Sequence, residues 1–159
     1  MTKAAWLKGN QMSNALQENL KSALDGHVKD HQEAGVTPER ELKMWLLVRK
    51  DLPISLPKAV IQSGHVFGTC MVNAYIKNPD LVKEYMSHAQ PKISVRVKNL
   101  DELEKCVALC REAGIEACLV TDAGRTEFDG PTMTFGVVGP CYRENLPKRV
   151  RGLQMLKDE

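Results

Sequence analysis

Two short stretches hold the residue types that hydrolytic chemistry uses. The first is DLPISLPKAVIQSGHVFGTC, Asp51 to Cys70, where a serine and a proline announce a helix start and the first charged side chain inside it is Lys58. On that helix Lys58, Gln62, His65, Thr69 and Asn73 follow at steps of four, three, four and four, which predicts one polar stripe. Val60, Phe67, Met71 and Ala74 are expected on another side. The stripe is mostly uncharged hydrogen-bonding groups, a face suited to a polar ligand or to another loop of the protein. Free backbone N–H groups and the helix dipole already favour an anion at the head of this helix, and an ammonium there makes the place more anion-seeking. The plainer alternative is a solvated lysine paired with some carboxylate. The second stretch is TDAGRTE, with Asp122 at the C-terminal end of an expected strand and Thr126 four residues on. Open α/β sheets place their clefts at such strand ends, although an Asp-x-Gly also reads as an Asx-turn. A carboxylate, a hydroxyl and an ammonium form a hydrolytic constellation if helix and loop converge.

The elements that must position them can be read from periodicity. Met44 to Val48 form a continuous apolar run bounded by charges, as expected of a central strand. In PKISVRVKN, Ile93, Val95 and Val97 alternate with Ser94, Arg96 and Lys98, which predicts a strand with one covered face. Next comes the clearest helix of the chain. Asn99 can cap it, Glu102 can reach back, Leu103, Cys106, Val107 and Cys110 form its apolar stripe, and Gly114 can stop it. Ala117 to Thr121 and Thr132 to Val138 then read as two strands joined by a loop, followed by a short basic helix near Pro147 and a short edge strand at 153–156. Strand, helix, strand, helix, strand, strand, helix predicts an α/β three-layer sandwich: a mixed, mainly four-stranded sheet with helices on both faces.

At 159 residues the chain fits one domain with a genuine core. Residues 1–42 read as an N-terminal helical extension and linker, and 43–159 as the domain. In the extension, Leu16, Leu20, Ala23, Leu24 and Val28 mark one face of a helix from about Ser13 to Val28, which packs on the domain, frays free or meets a partner. The segment DHQEAGVTPER reads as linker. Net charge is +2, divided as −1 before residue 43 and +3 after it, too even a balance to demand or exclude nucleic acid. No apolar run reaches the roughly 18 residues a membrane span needs, and the N-terminus lacks an apolar signal segment and any arginine before Arg40. Five cysteines without paired short spacings fit reduced thiols in a cytoplasmic setting. Cys106 and Cys110 share a helix face, but zinc would need two further ligands, so they read as small buried residues.

Taken in order, Arg49, Asp51, Leu52, Lys58, Gln62 and His65, then Gln90, Pro91 and Lys92, then DAGRT at Asp122 to Thr126, and Gly139 with Pro140, resemble the type 2 peptidyl-tRNA hydrolase family. The resemblance runs from about Lys43 to the C-terminus. It implies hydrolysis of the ester joining a peptide to the 3′ ribose of tRNA, without metal or organic cofactor. By the resemblance Lys58, Asp122 and Thr126 are the catalytic residues, and Gln62, His65, Lys92 and Arg125 bind substrate. Asp122 would orient or deprotonate the attacking water, Thr126 would help hold it, and Lys58 would stabilise the oxyanion or a nearby ribose or phosphate oxygen. Lys92, Arg125, Lys148, Arg149 and Arg151 are available to the tRNA backbone, and a homodimer is compatible with a domain of this kind. The chain departs from the family pattern in PISLPK, where members carry a glycine- and lysine-rich KMGKGK, and in Glu127, where glutamine is usual. Fewer lysines there mean fewer phosphate contacts and a flatter salt dependence. The reading of another class is a non-catalytic module of the same fold that binds RNA or a protein.

Overall fold

A computed structural model describes residues 14–28 and 40–157. Helix α1 (Asn14–Leu24) precedes strand β1 (Leu42–Arg49), helices α2 (Leu56–Lys77) and α3 (Pro79–Ser87), strand β2 (Lys92–Val97), helix α4 (Leu100–Glu112), strands β3 (Ala117–Asp122) and β4 (Thr132–Tyr142), and helix α5 (Lys148–Arg151). The sheet order is β2-β1-β4-β3. β1 is therefore central, which explains its unbroken apolar run. β2 lies parallel to it, and β4 runs antiparallel to both β1 and β3.

The two-residue period of β1 divides the interior. Trp45 and Leu47 join Val95, Val97, Leu103, Cys106, Val107 and Cys110 on the α4 side. Leu42 and Met44 join Val66, Cys70, Tyr85, Phe135 and Val137 on the α2 and α3 side. The expected three-layer α/β sandwich is what forms, with helices on both faces. The α4 stop is also as expected: Gly114 takes φ 75°, and the Ile115 amide donates to the Cys110 carbonyl at 2.9 Å. At its start Asn99 accepts from the Glu102 amide at 3.1 Å, while Glu102 reaches back to the Lys98 amide at 2.7 Å, one residue beyond the cap.

Three differences from the sequence reading have physical causes. Helix α3 was not expected, yet its start is well marked: Asn78 accepts from the Leu81 amide, Pro79 opens the first turn and Asp80 suits the dipole. Strand β4 continues past Val138, the expected last residue, to Tyr142 through a cis Gly139–Pro140 peptide. Gly139 takes φ 109°, and a Cβ there would lie 2.6 Å from the Lys43 carbonyl oxygen, so only glycine lets β1 and β4 pass. Finally, α2 buries Gln62, Val66, Cys70 and Ala74, not a row headed by Val60, which is 58% exposed. The polar stripe lies along the border of the buried face, so Gln62 turns inward and His65 outward.

At the edges, Gln154 and Leu156 exchange backbone hydrogen bonds with Arg96 and Ser94, making the short edge segment beside β2. Leu20 of α1 is fully buried, and α1 packs on α3. The linker expected at 30–40 falls outside the described residues except for Arg40. Among the described residues no helix is long and apolar enough to cross a membrane.

Candidate active site

Helix α2 and the loop after β3 converge on one spot. Ser55 caps α2, its side chain accepting from the Lys58 amide, and Pro57 fits the first turn, where a missing N–H costs nothing. This start directs Lys58 at the end of β3. Lys58 Nζ lies 2.7 Å from Asp122 Oδ2 and donates to Thr126 Oγ1 at 2.9 Å. An ammonium has three donors, and those two contacts leave a third for whatever enters the cleft.

Asp122 is buried at the last position of β3. Its Oδ1 accepts from the Gly124 amide at 2.8 Å, and its Oδ2 also accepts from Gln62 Nε2 at 2.8 Å. The Asx-turn reading and the ionic reading of this residue are thus both realised, one on each oxygen. The Lys58 ammonium first, and the Gly124 amide second, hold its carboxyl below the usual aspartate value of 3.8. Gly124 is indispensable to the turn. It takes φ 73°, and a Cβ there would fall 2.2 Å from backbone atoms of Gly130, so the loop folds back upon itself through two glycines.

Gln62 is buried, and its Oε1 has no hydrogen-bond partner. Reversing the amide would set that oxygen against the Asp122 carboxylate, so the orientation is fixed and the orphaned oxygen remains as its cost.

The anion-seeking head of α2 is filled from within. Glu127 accepts from the Ser55 amide at 3.1 Å and from the Ser55 hydroxyl. Both donors, hydroxyl first, hold its carboxyl below the ordinary value. Helix α2 has no acid in its own first turn, and Glu127 supplies one from the hairpin loop. The same contact ties the loop bearing Asp122 and Thr126 to the helix bearing Lys58. Glu127→Ala is expected to lower Tm by a few degrees and turnover several-fold, whereas Glu127→Gln, whose amide oxygen still accepts from Ser55, keeps most of both. Thermal melting and steady-state rates on the two variants check this.

The family model Peptidyl-tRNA hydrolase PTH2 matches residues 42–156. The chain belongs to that family. It is 31% identical over 115 residues to the peptidyl-tRNA hydrolase of Methanocaldococcus jannaschii, covering 72% of this chain and 100% of that one. With the peptidyl-tRNA hydrolase of Thermoplasma acidophilum it shares 34% over 106 residues, 67% of this chain and 91% of that one. A probable peptidyl-tRNA hydrolase 2 of Drosophila melanogaster matches at 27% over 140 residues, 88% of this chain and 74% of that one.

In this member of the peptidyl-tRNA hydrolase family, the residues expected at the site fall into three groups. Lys58, Asp122 and Thr126 meet, with Gln62 behind Asp122. Thr126 and Arg125 are exposed in the loop, and His65 is exposed on the outer side of α2, two turns from Lys58. Lys92 is elsewhere. It opens β2 beside Met44, at the opposite end of the sheet from Asp122. There its ammonium donates to the Gln90 carbonyl at 3.0 Å and lies 5.7 Å and 5.3 Å from the centroids of Phe67 and Tyr85.

Arg49 and Asp51 pair through two hydrogen bonds, and Arg49 Nη1 donates to the Met133 carbonyl at 2.7 Å, bracing the end of β1 against β4. The contribution of Ser55 with Glu127 was missed from sequence. The available signal was a capped helix start without any acid of its own.

Proposed function

We propose that this chain hydrolyses the ester between a peptide and the 3′ ribose of tRNA, with Lys58, Asp122 and Thr126 as the reacting constellation. The observation that carries the reading is the meeting of those three side chains within hydrogen-bond distance, from a helix and a hairpin loop far apart in sequence. Full coverage of the archaeal relative named for this reaction supports it.

The roles follow from the donors and acceptors in place. Water oxygen bonds to the ester carbonyl carbon and the bond to the 3′ oxygen breaks; one water proton ends on that oxygen, the other passes to solvent, and the peptide leaves as a carboxylate. Negative charge develops on the carbonyl oxygen, and the remaining N–H of Lys58 is the group to meet it. Thr126 Oγ1 accepts from Lys58, which leaves its own proton to hold the water. Asp122 already accepts three hydrogen bonds and is a weak base; its role is to stay anionic and fix the ammonium. Gln62 acts through Asp122 rather than on substrate, while His65 and Arg125 remain accessible to the nucleic acid.

Release of N-blocked amino acid from charged tRNA by the purified protein, with Asp122→Asn beside it, tests the reading. No release above the variant's rate would leave the RNA- or protein-binding alternative. The depressed carboxyls fix the pH dependence. Asp122 and Glu127 ionise below their ordinary values of 3.8 and 4.5, so their contribution to stability is complete above those values and is lost as pH falls through the lower folded values. Between about pH 5 and 8 the kcat/KM profile should therefore contain no acid limb from Asp122. An acid limb near pH 6 that disappears in Asp122→Asn would show it acting as the base instead.

The cytoplasm is the proposed compartment, supported by five cysteines that are all unpaired and buried. A homodimer belongs to the same proposal: Ile61, Val72 and Ile76 on the outer side of α2 are 59%, 60% and 74% exposed, apolar area that a second copy would cover. Sedimentation of a monomer at micromolar concentration would remove it.

A further inference from the structure

A groove of about 430 Å³ opens at the end of the sheet that carries Asp122, lined among others by Lys50, Arg96, Lys98, Glu102, Leu153 and Gln154. Three basic residues and one acidic residue line it, and Arg96 Nη2 also donates to Gln154 Oε1. Glu102 is already engaged, since its Oε2 accepts from the Lys98 amide at 2.7 Å and its Oε1 from Arg149 at 3.0 Å. The balance along the rim is therefore positive, and α5 adds exposed Lys148 and Arg151 beside it.

Topology sets the groove against the cleft. β1, β2 and β3 all run the same way, because β2 is parallel to β1 while β1 and β3 are both antiparallel to β4. Lys50 just beyond β1, Lys98 just beyond β2 and Asp122 at the end of β3 therefore share one end of the sheet. β2 is three places from β3 in the order, which at the usual spacing of neighbouring strands is about 14 Å. The backbone of the rim is tied to its neighbours: the Lys50 amide donates to the Val97 carbonyl at 2.8 Å, and the Arg96 amide to the Gln154 carbonyl at 2.9 Å.

The geometry points to this groove as the seat of backbone phosphates from the 3′-terminal single strand of the RNA. A scissile ester held at Lys58 and Asp122 has only one polymeric anion attached to it. The nucleotides just before the ester must leave the cleft along the surface, and a groove with cations at Lys50, Arg96 and Lys98 about 14 Å away lies within reach of a few of them. This groove also offers what the replaced KMGKGK loop does not, since PISLPK keeps only Lys58 near the chemistry. The inference rests on the proposed hydrolase function, but binding tests it separately from turnover.

The test uses the full chain with Lys50→Ala and Lys98→Ala combined, against Lys105→Ala as a control on the far exposed side of α4, where Lys105 pairs with Asp101. Affinity for deacylated tRNA is measured over a range of KCl concentrations, with melting temperature to verify folding. Removing two phosphate contacts should flatten the slope of log K against log salt by about 1.4 to 1.8, while the control keeps the wild-type slope. On charged tRNA, KM should rise roughly ten-fold or more and kcat fall far less. A folded double variant with the wild-type salt slope would overturn the groove while leaving the hydrolase reading intact. A flattened slope in a protein that releases no amino acid would keep the groove as an RNA site and reject the hydrolase reading.

Discussion

Lys58→Ala is expected to lower kcat on peptidyl-tRNA by about 10² to 10³-fold, corresponding to the roughly 2.7 to 4 kcal/mol that one oxyanion donor contributes. The expectation comes from the count of its donors. Two are spent on Asp122 and Thr126, and the third is the group available to a developing negative charge. The substitution also strands the Asp122 carboxylate, which keeps only Gly124 and Gln62 as partners. KM should change much less than kcat, because the interaction is strongest where charge has formed. Lys58→Arg tests the geometry: a broad, planar guanidinium cannot occupy the compact position of an ammonium between the carboxylate and the hydroxyl, and should recover little of the loss. Single-turnover rates on both variants measure this directly. Near-normal turnover by Lys58→Ala would remove the lysine from the mechanism.

Asp122→Asn should cost roughly 10 to 10²-fold in kcat, the range associated with losing a hydrogen bond to a charged group. The asparagine carbonyl can still receive the Gly124 amide, so the turn survives. On the other branch an amide stands where a carboxylate stood, facing both the Lys58 ammonium and the Gln62 amide. The lysine then loses its anion, and Gln62 gains an opportunity to turn its orphaned oxygen toward the new donor. The expected signature is a fall in kcat with an unchanged fold, together with loss of the stability decline at low pH that the depressed aspartate contributes. If kcat were unaffected, the ammonium would be held well enough by Thr126 alone.

Much of this arrangement was legible beforehand, and the particular residues show why. Lys58 stood out because a cation at a helix head is electrostatically misplaced without a partner, and Asp122 because a strand ends there in a turn-forming Asp-x-Gly. Gln62 and His65 could not be told apart. They sit 40° or less to either side of Lys58 on an ideal helix of about 3.6 residues per turn, yet the border of the buried face passes between them. Glu127 was legible as a charge but not as a cap, since its partner Ser55 lies 72 positions away. Lys92 follows a family-like Gln-Pro and was grouped with the site for that reason, although the first residue of β2 must lie at the end of the sheet opposite to the last residue of β3.

By itself the sequence determined what local forces decide: apolar periods of two and of 3.6 residues, the capped starts of α2 and α4, the glycine turns, and so the layered α/β fold with its central β1. It also determined which side chains were chemically able to take part. Only the tertiary structure decided which of them meet. Hydrogen bonding and charge pairing act over a few ångströms, and the distances that matter here, Lys58 to Asp122 and Ser55 to Glu127, are set by the order β2-β1-β4-β3 and by a loop folded back through Gly124 and Gly130.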